Sequence, residues 1–182
     1  MKTQHGLTLV ELMVTLAVAI ILIAVGMPLF SGVAANNRAT AQANTFLTAF
    51  KLARAEAVRR GTEVSVCAIA NPAANPLTCG TAANWSNGLL VFTDGGTVGS
   101  IDGGDERVRA FPITTAGATA ATSGAFVRFQ PRGEVQSMTA NAACASSGTC
   151  IDLGHGDTTG SQARCLYINA SGQIRLERAV CS

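Results

Sequence analysis

Residues 6–30 read GLTLVELMVTLAVAIILIAVGMPLF. Residues 7–30 hold 19 apolar side chains in 24, and no charge occurs from Leu12 through Asn37. A bilayer crossing needs about 20 apolar residues, so the stretch is long enough for one, and Glu11 sits inside it. A carboxylate in a membrane costs on the order of 3 kcal/mol or more at the centre and usually has a partner. No second run of this length occurs in the 182 residues, which excludes a polytopic transporter. The averages of 48% apolar, 13% charged and net charge +2 therefore blend one membrane-length segment with a polar, Gly-rich body. That body has enough apolar residues for one core, which argues against wholesale disorder.

Three readings of the segment compete. A secretory signal peptide has a basic start, an apolar stretch of about 7–15 residues and a small-residue cleavage site. Gly32-Val33-Ala34 could serve as that site, but Glu11 cancels Lys2 where positive charge is expected. A plain single-span anchor explains the length and makes Glu11 an accident. In the third reading, cleavage between Gly6 and Leu7 creates a free α-amino group four residues before Glu11. That amine is a partner of the right sign, within one helix or between neighbouring chains.

Gly6, the apolar residue after it, Thr8-Leu9-Val10-Glu11-Leu12 and the following apolar run resemble the prepilin signal of type IV pilins and type II secretion pseudopilins. The resemblance implies cleavage after Gly6 by a prepilin peptidase, N-methylation of Leu7, and an assembly role for Glu11. It also implies insertion in the inner membrane, followed by assembly with other minor pilins or pseudopilins through the N-terminal helix. Leu7 departs from the commonest residue there, Phe.

Beyond the segment, residues 34–60 contain no Gly or Pro and are rich in Ala, which favours helix. Phe46, Phe50, Ala53 and Ala57 fall at i, i+4, i+7 and i+11, one buried stripe. Arg59 and Arg60 suit the last turn, and Gly61 suits the end. The two helical stretches could be nearly continuous, with Pro28 marking a bend or local unwinding. After Gly61, strands are expected over residues 62–69, 89–93, 107–111, 125–130, 134–138, 164–169 and 173–178. They are short and separated by Gly, Asn, Asp and Pro, as in an antiparallel sheet. Ala170-Ser171-Gly172 is a candidate hairpin turn, and the Ala/Thr/Gly-rich residues 114–125 read as a surface loop.

Within residues 38–135, LARAEAVRRG (52–61), VSVC (64–67), Trp85, Gly88, VFTD (91–94), Gly104-Asp105-Glu106 and Arg109 resemble the GspH/FimT branch of pilin-like proteins. The fold class expected is α+β, pilin-like: a long N-terminal helix, membrane-spanning in its front half, packed on an antiparallel sheet domain. The segments are a leader at 1–6, an assembly helix at 7–30, its amphipathic continuation at 31–61, and a periplasmic β-rich domain at 62–182.

Six cysteines in an exported domain favour disulfides. Among 15 connectivities, local pairing is preferred: Cys67 with Cys79, Cys144 with Cys150, Cys165 with Cys181. The last pair needs the tail to curl back, because Cys165 is expected to face about Leu176. Zinc is disfavoured, with no CxxC and His155 the one histidine after the leader, in a Gly-rich loop. No hydrolase motif is present, so no enzyme and no cofactor are expected. Asp94, Asp102, Asp105 and Glu106 could offer oxygens to calcium, but Gly96 and Val98 interrupt the EF-hand spacing, and no metal is assigned.

Arg164, Arg175 and Arg178 gather near the last hairpin. They read either as charges protecting an edge strand or as contacts to DNA phosphates. The FimT resemblance implies the second through a Gly-Arg-x-Arg motif, here Gly172-Gln173-Ile174-Arg175, with Gln173 in place of the first Arg. Removal of residues 1–6 would leave 12 basic and 11 acidic side chains, so any attraction for DNA has to be local. The function expected is a minor pilin or pseudopilin, with DNA uptake as the alternative.

Overall fold

The computed structural model describes residues 8–113, 117–122, 124–137, 148–155 and 163–181, leaving out the side chains of residues 25–31 and 155. The chain divides into two units, Met1–Ala34 and Ala35–Ser182. Helix α1 runs from Leu9 to Arg60. Its helical assignment passes through Gly26, Pro28 and Gly32, so the local unwinding considered at Pro28 is not found.

In the first unit the described apolar side chains face outward: Leu9 is 76% exposed, Ile20 66% and Leu22 68%. Among the described residues no helix is long and apolar enough to cross a membrane. Of the segment expected over residues 7–30, Leu7 and the side chains of residues 25–30 lie outside that description.

In the second unit α1 is amphipathic. Ala35, Ala39, Ala43, Phe46, Phe50, Ala53 and Ala57 are buried along one stripe, which extends the pattern read from the sequence by about three turns. Gly61 ends the helix at φ 67°, its amide bonded to the Ala57 carbonyl.

Among the described residues nine strands follow: β1 Val64–Ala68, β2 Gly88–Thr93, β3 Arg107–Pro112, β4 Ala118–Ala121, β5 Phe126–Phe129, β6 Val135–Ser137, β7 Gly148–His155, β8 Arg164–Asn169 and β9 Ile174–Glu177. They form two antiparallel sheets, ordered β3-β2-β1-β5-β6 and β4-β7-β8-β9. One core receives the stripe from Ala43 to Ala57 together with Val64, Val66, Leu89, Val91 and Phe129 of the first sheet and Ile151, Leu153, Leu166 and Ile168 of the second. Phe50 lies at its centre, 6.1 Å from the ring of Trp85 and 6.5 Å from those of Phe46 and Phe129. Trp85 stands on a 3-10 helix, Ala82–Asn87, and donates its indole N–H to the Gly124 carbonyl at 2.7 Å.

Two strands correct the sequence reading. Residues 118–121, expected in a loop, form β4, whose Thr119 carbonyl accepts from Gln42 Nε2 of α1 at 3.0 Å. His155, also expected in a loop, is the last residue of β7, which pairs with β8 over six positions and with β4 over four. The first sheet also buries its other face. Cys67, Ile69, Leu90 and Phe92 pack there beneath residues 70–81, which the Cys67–Cys79 disulfide ties down.

An ion network closes the C-terminal end of α1. Glu56 holds Arg59 at 2.5 Å and Arg60 at 2.6 Å, and Arg60 reaches Glu106 at 2.5 Å. Hydrogen bonds from Arg59 and then Arg60 hold the Glu56 carboxyl at about 2, below its ordinary 4.5. The folded chain therefore binds this proton less readily than the unfolded chain. The stabilisation is complete above about pH 4.5 and is lost as pH falls toward 2. Glu56→Gln is expected to cost about 1 kcal/mol at pH 7, and urea melts of variant and parent should converge near pH 2.

Candidate functional site: the helix start and the C-terminal hairpin

At the start of α1, the Glu11 amide donates to Thr8 Oγ1 at 3.3 Å and the Thr8 amide donates to Glu11 Oε2 at 3.5 Å. This reciprocal pair is a capping box, which satisfies amides that have no partner inside the helix. The spacing Thr8-x-x-Glu11 carries the signal in the sequence, where Glu11 drew notice only for its charge. Gly6 and Leu7 lie outside the described residues.

At the other end of the chain, β8 and β9 form a hairpin with Ile168 opposite Ile174 and Cys165 opposite Glu177. The three-residue loop is Ala170-Ser171-Gly172, as expected. The Gly172 amide bonds to the Asn169 carbonyl at 2.9 Å and the Asn169 amide to the Gln173 carbonyl at 3.1 Å. Gly172 has φ 73°, and a Cβ there would overlap the Gly133 carbonyl oxygen. Its place in the Gly-x-x-Arg pattern is thus demanded by this turn and by a second turn packed against it.

The three arginines separate. Arg164 is 3% exposed. Its Nη2 donates to Asn36 Oδ1 at 2.5 Å and Thr40 Oγ1 at 3.1 Å, both on α1. Burial, with the charge of Arg178 as a lesser cause, pulls its pKa below the ordinary value. Arg164 is therefore a tie between β8 and α1, not an outward contact for phosphate. Arg175 and Arg178 are exposed. The strand stops at Glu177, so Arg178 lies in a bend and the alternation that would set it opposite Arg175 does not apply.

That bend also resolves the tail. The chain turns after Glu177, Cys181 reaches Cys165 with a Cα–Cα distance of 5.1 Å, and the Cys181 amide donates to Asp152 Oδ1 at 2.6 Å. Cys150 is disulfide-bonded as well, while Cys144 lies outside the described residues. The sulfurs of Cys150, Cys165 and Cys181 lie within 4.8 Å of one another, but as disulfides they offer no thiolate to zinc.

The acidic loop turns its carboxylates on its own backbone. Asp102 Oδ2 accepts from the Thr97 amide at 2.6 Å, which holds its pKa below the ordinary value. Asp105 accepts from Gly95 and Asp102, each at 3.0 Å. Asp94 is fully buried, accepts from Ser65 and from the Gly99 amide, and lies 3.5 Å from Arg128 Nε. Among the described residues no three of these acids converge as a metal site would require. One tie had no sequence signal. Arg54 of α1 donates to the Gly133 carbonyl at 3.1 Å and the Ser171 carbonyl at 3.3 Å, joining the helix to one turn of each sheet.

The profile of the family described as type II transport protein GspH matches residues 42–172, and that of the prokaryotic N-terminal methylation motif matches residues 1–27. None of the curated proteins matches the chain. Two crystal structures of the type IV minor pilin FimU of Pseudomonas aeruginosa, in space groups P21 and P65, share the fold at 20% identity. Their TM-scores are 0.56 and 0.50; the matches cover 78% of this chain and 89% and 90% of theirs. These matches are to pilins and a secretion component, not to enzymes.

Gly172→Ala is expected to destabilise the protein by about 2 kcal/mol or more, from positive φ and overlap with Gly133. Gln173→Ala, at an exposed neighbour, should stay within about 0.5 kcal/mol; paired denaturant melts compare them.

Proposed function

The chain belongs to the GspH family, and from that premise we propose that it is a minor pilin or pseudopilin acting in the initiation or tip complex of its filament. Membership of the family, with the N-terminal methylation motif, makes it a component of a type IV pilus or a type II secretion pseudopilus. The observation that supports assembly through the helix is the front of α1, where the large apolar side chains from Leu9 to Ile23 stand at least half exposed in the isolated chain. An apolar surface of that extent calls for a lipid or helical partner. The inner membrane supplies the first, and the helices of other minor pilins or pseudopilins the second.

In this reading prepilin peptidase cuts between Gly6 and Leu7 and methylates the new amine. The amide that donates to Glu11 Oε2 belongs to Thr8, and the new amine would belong to the residue before it in the chain. Glu11 then neutralises that amine, or the amine of a neighbouring subunit, and sets the axial register. Pro28 supplies a kink within the helix. Glu11→Gln keeps a side chain that completes the capping box and removes the charge. It should reach the inner membrane normally while incorporation into filaments, read by quantitative blotting of sheared fibres, falls at least about tenfold. Normal incorporation would sink the pairing.

A second reading, a FimT-like DNA receptor for uptake, draws on exposed Arg175 and Arg178 beside Gly172. Gln173 in the motif and the inward turn of Arg164 leave two cations for it. Replacing Arg175 and Arg178 by Gln should weaken duplex binding in a mobility-shift titration and lower the salt slope by about 2. An unchanged slope removes these residues from any DNA contact.

A further inference from the structure

A groove of about 590 Å³ runs between the last turns of α1 and the entry to β9, lined by Lys51, Arg54, Ala55, Val58 and Arg59 on one side and residues 172–174 on the other. The helix residues recur at i, i+3, i+4, i+7 and i+8, a continuous stripe, and all five are exposed. Val58 stands out, 55% exposed among cations. The opposite wall leads into an open sheet edge. Among the described residues strand β9 pairs with β8 alone, and no backbone group of Ile174–Glu177 bonds to any further element.

We propose that this groove receives an extended acidic segment of another polypeptide, added to the sheet as a strand beside β9. Unpaired strand edges are templates for a further strand, with backbone bonds giving affinity and pockets for alternate side chains giving specificity. An added strand would set its inward side chains on Ala55 and Val58. The groove is lined by three cations and no acid. Arg59 is partly neutralised by Glu56 and Arg54 is tethered to two carbonyls, which leaves Lys51 as the freest partner for a carboxylate. The Arg54 tether also holds the β8–β9 turn against the helix, so the groove is formed before anything enters it. The apolar floor and open backbone edge favour a polypeptide over a nucleic acid, which needs phosphate contacts and no such floor.

The test is fluorescence anisotropy on the detergent-solubilised full chain with a labelled peptide of about ten residues, strand length, alternating Val and Glu. The expected result is saturable binding, weakened at least about tenfold by Lys51→Glu and by Val58→Glu, both exposed positions where folding is undisturbed. Binding should vanish when alternate peptide amides are N-methylated or when Lys replaces Glu. Equal binding of the N-methylated peptide, or indifference to Val58→Glu, would overturn the proposal. So would a DNA duplex that binds through Lys51 while the peptide does not.

Discussion

A single stripe of α1 has to serve two sheets at once, and the second unit is arranged around that demand. Seven stripe positions from Ala35 to Ala57 are buried, and those from Ala43 onward share one core with the inner faces of both sheets. Alanines at most of these positions let the sheets approach closely, while Phe46 and Phe50 fill the space where they meet. Neither sheet could bury its apolar face without the helix, and the helix could not stay amphipathic in water without them. Trp85 completes the cluster from the side, on a short helix fixed by its indole hydrogen bond.

The basic residues show how that arrangement redistributes charge. By position in the chain Arg164, Arg175 and Arg178 form one group, yet the fold sends them to different tasks. Arg164 lies in register with Leu153, and its guanidinium ends on α1. Arg54, which in the sequence is one more charge on a helix, fastens the helix to a turn of each sheet. Arg128 lies beside buried Asp94, so its charge is consumed inside the first sheet's outer core. The remaining C-terminal cations outside, Arg175 and Arg178, are those beyond reach of a buried acceptor. A count of arginines near the C-terminus therefore overstates the cationic surface there.

Much of the fold was legible because periodicity survives in single sequences. The Phe46, Phe50, Ala53, Ala57 spacing marked the helix, the change of period after Gly61 marked the sheet, and the last hairpin followed from Gly172. The Cys67–Cys79 and Cys165–Cys181 disulfides follow the local pairing read from cysteine spacing. What escaped notice was decided by tertiary partners. Ala118–Ala121 has weak strand propensity and is a strand because it lies against β7 and accepts from Gln42. Gly148–His155 is broken by glycines at both ends, and its inward pair Ile151 and Leu153 gains meaning only beside Leu166. At the site, Arg175 and Arg178 are both exposed. The burial of Arg164 and the work of Arg54 depend on residues more than 75 positions away, which no local pattern reports.

The cap at the start of α1 separates two instructions that the N-terminus might have mixed. Thr8 and Glu11 both lie downstream of the Gly6–Leu7 bond, so the helix start is written wholly in residues that would survive a cut there. Precursor and product would then share one helical frame, and removal of a leader would change the terminal charge without asking the helix to renucleate, the costly step in making any helix. A leader cut there would in this sense be a detachable label, since the capping pair that starts the helix lies after the cut.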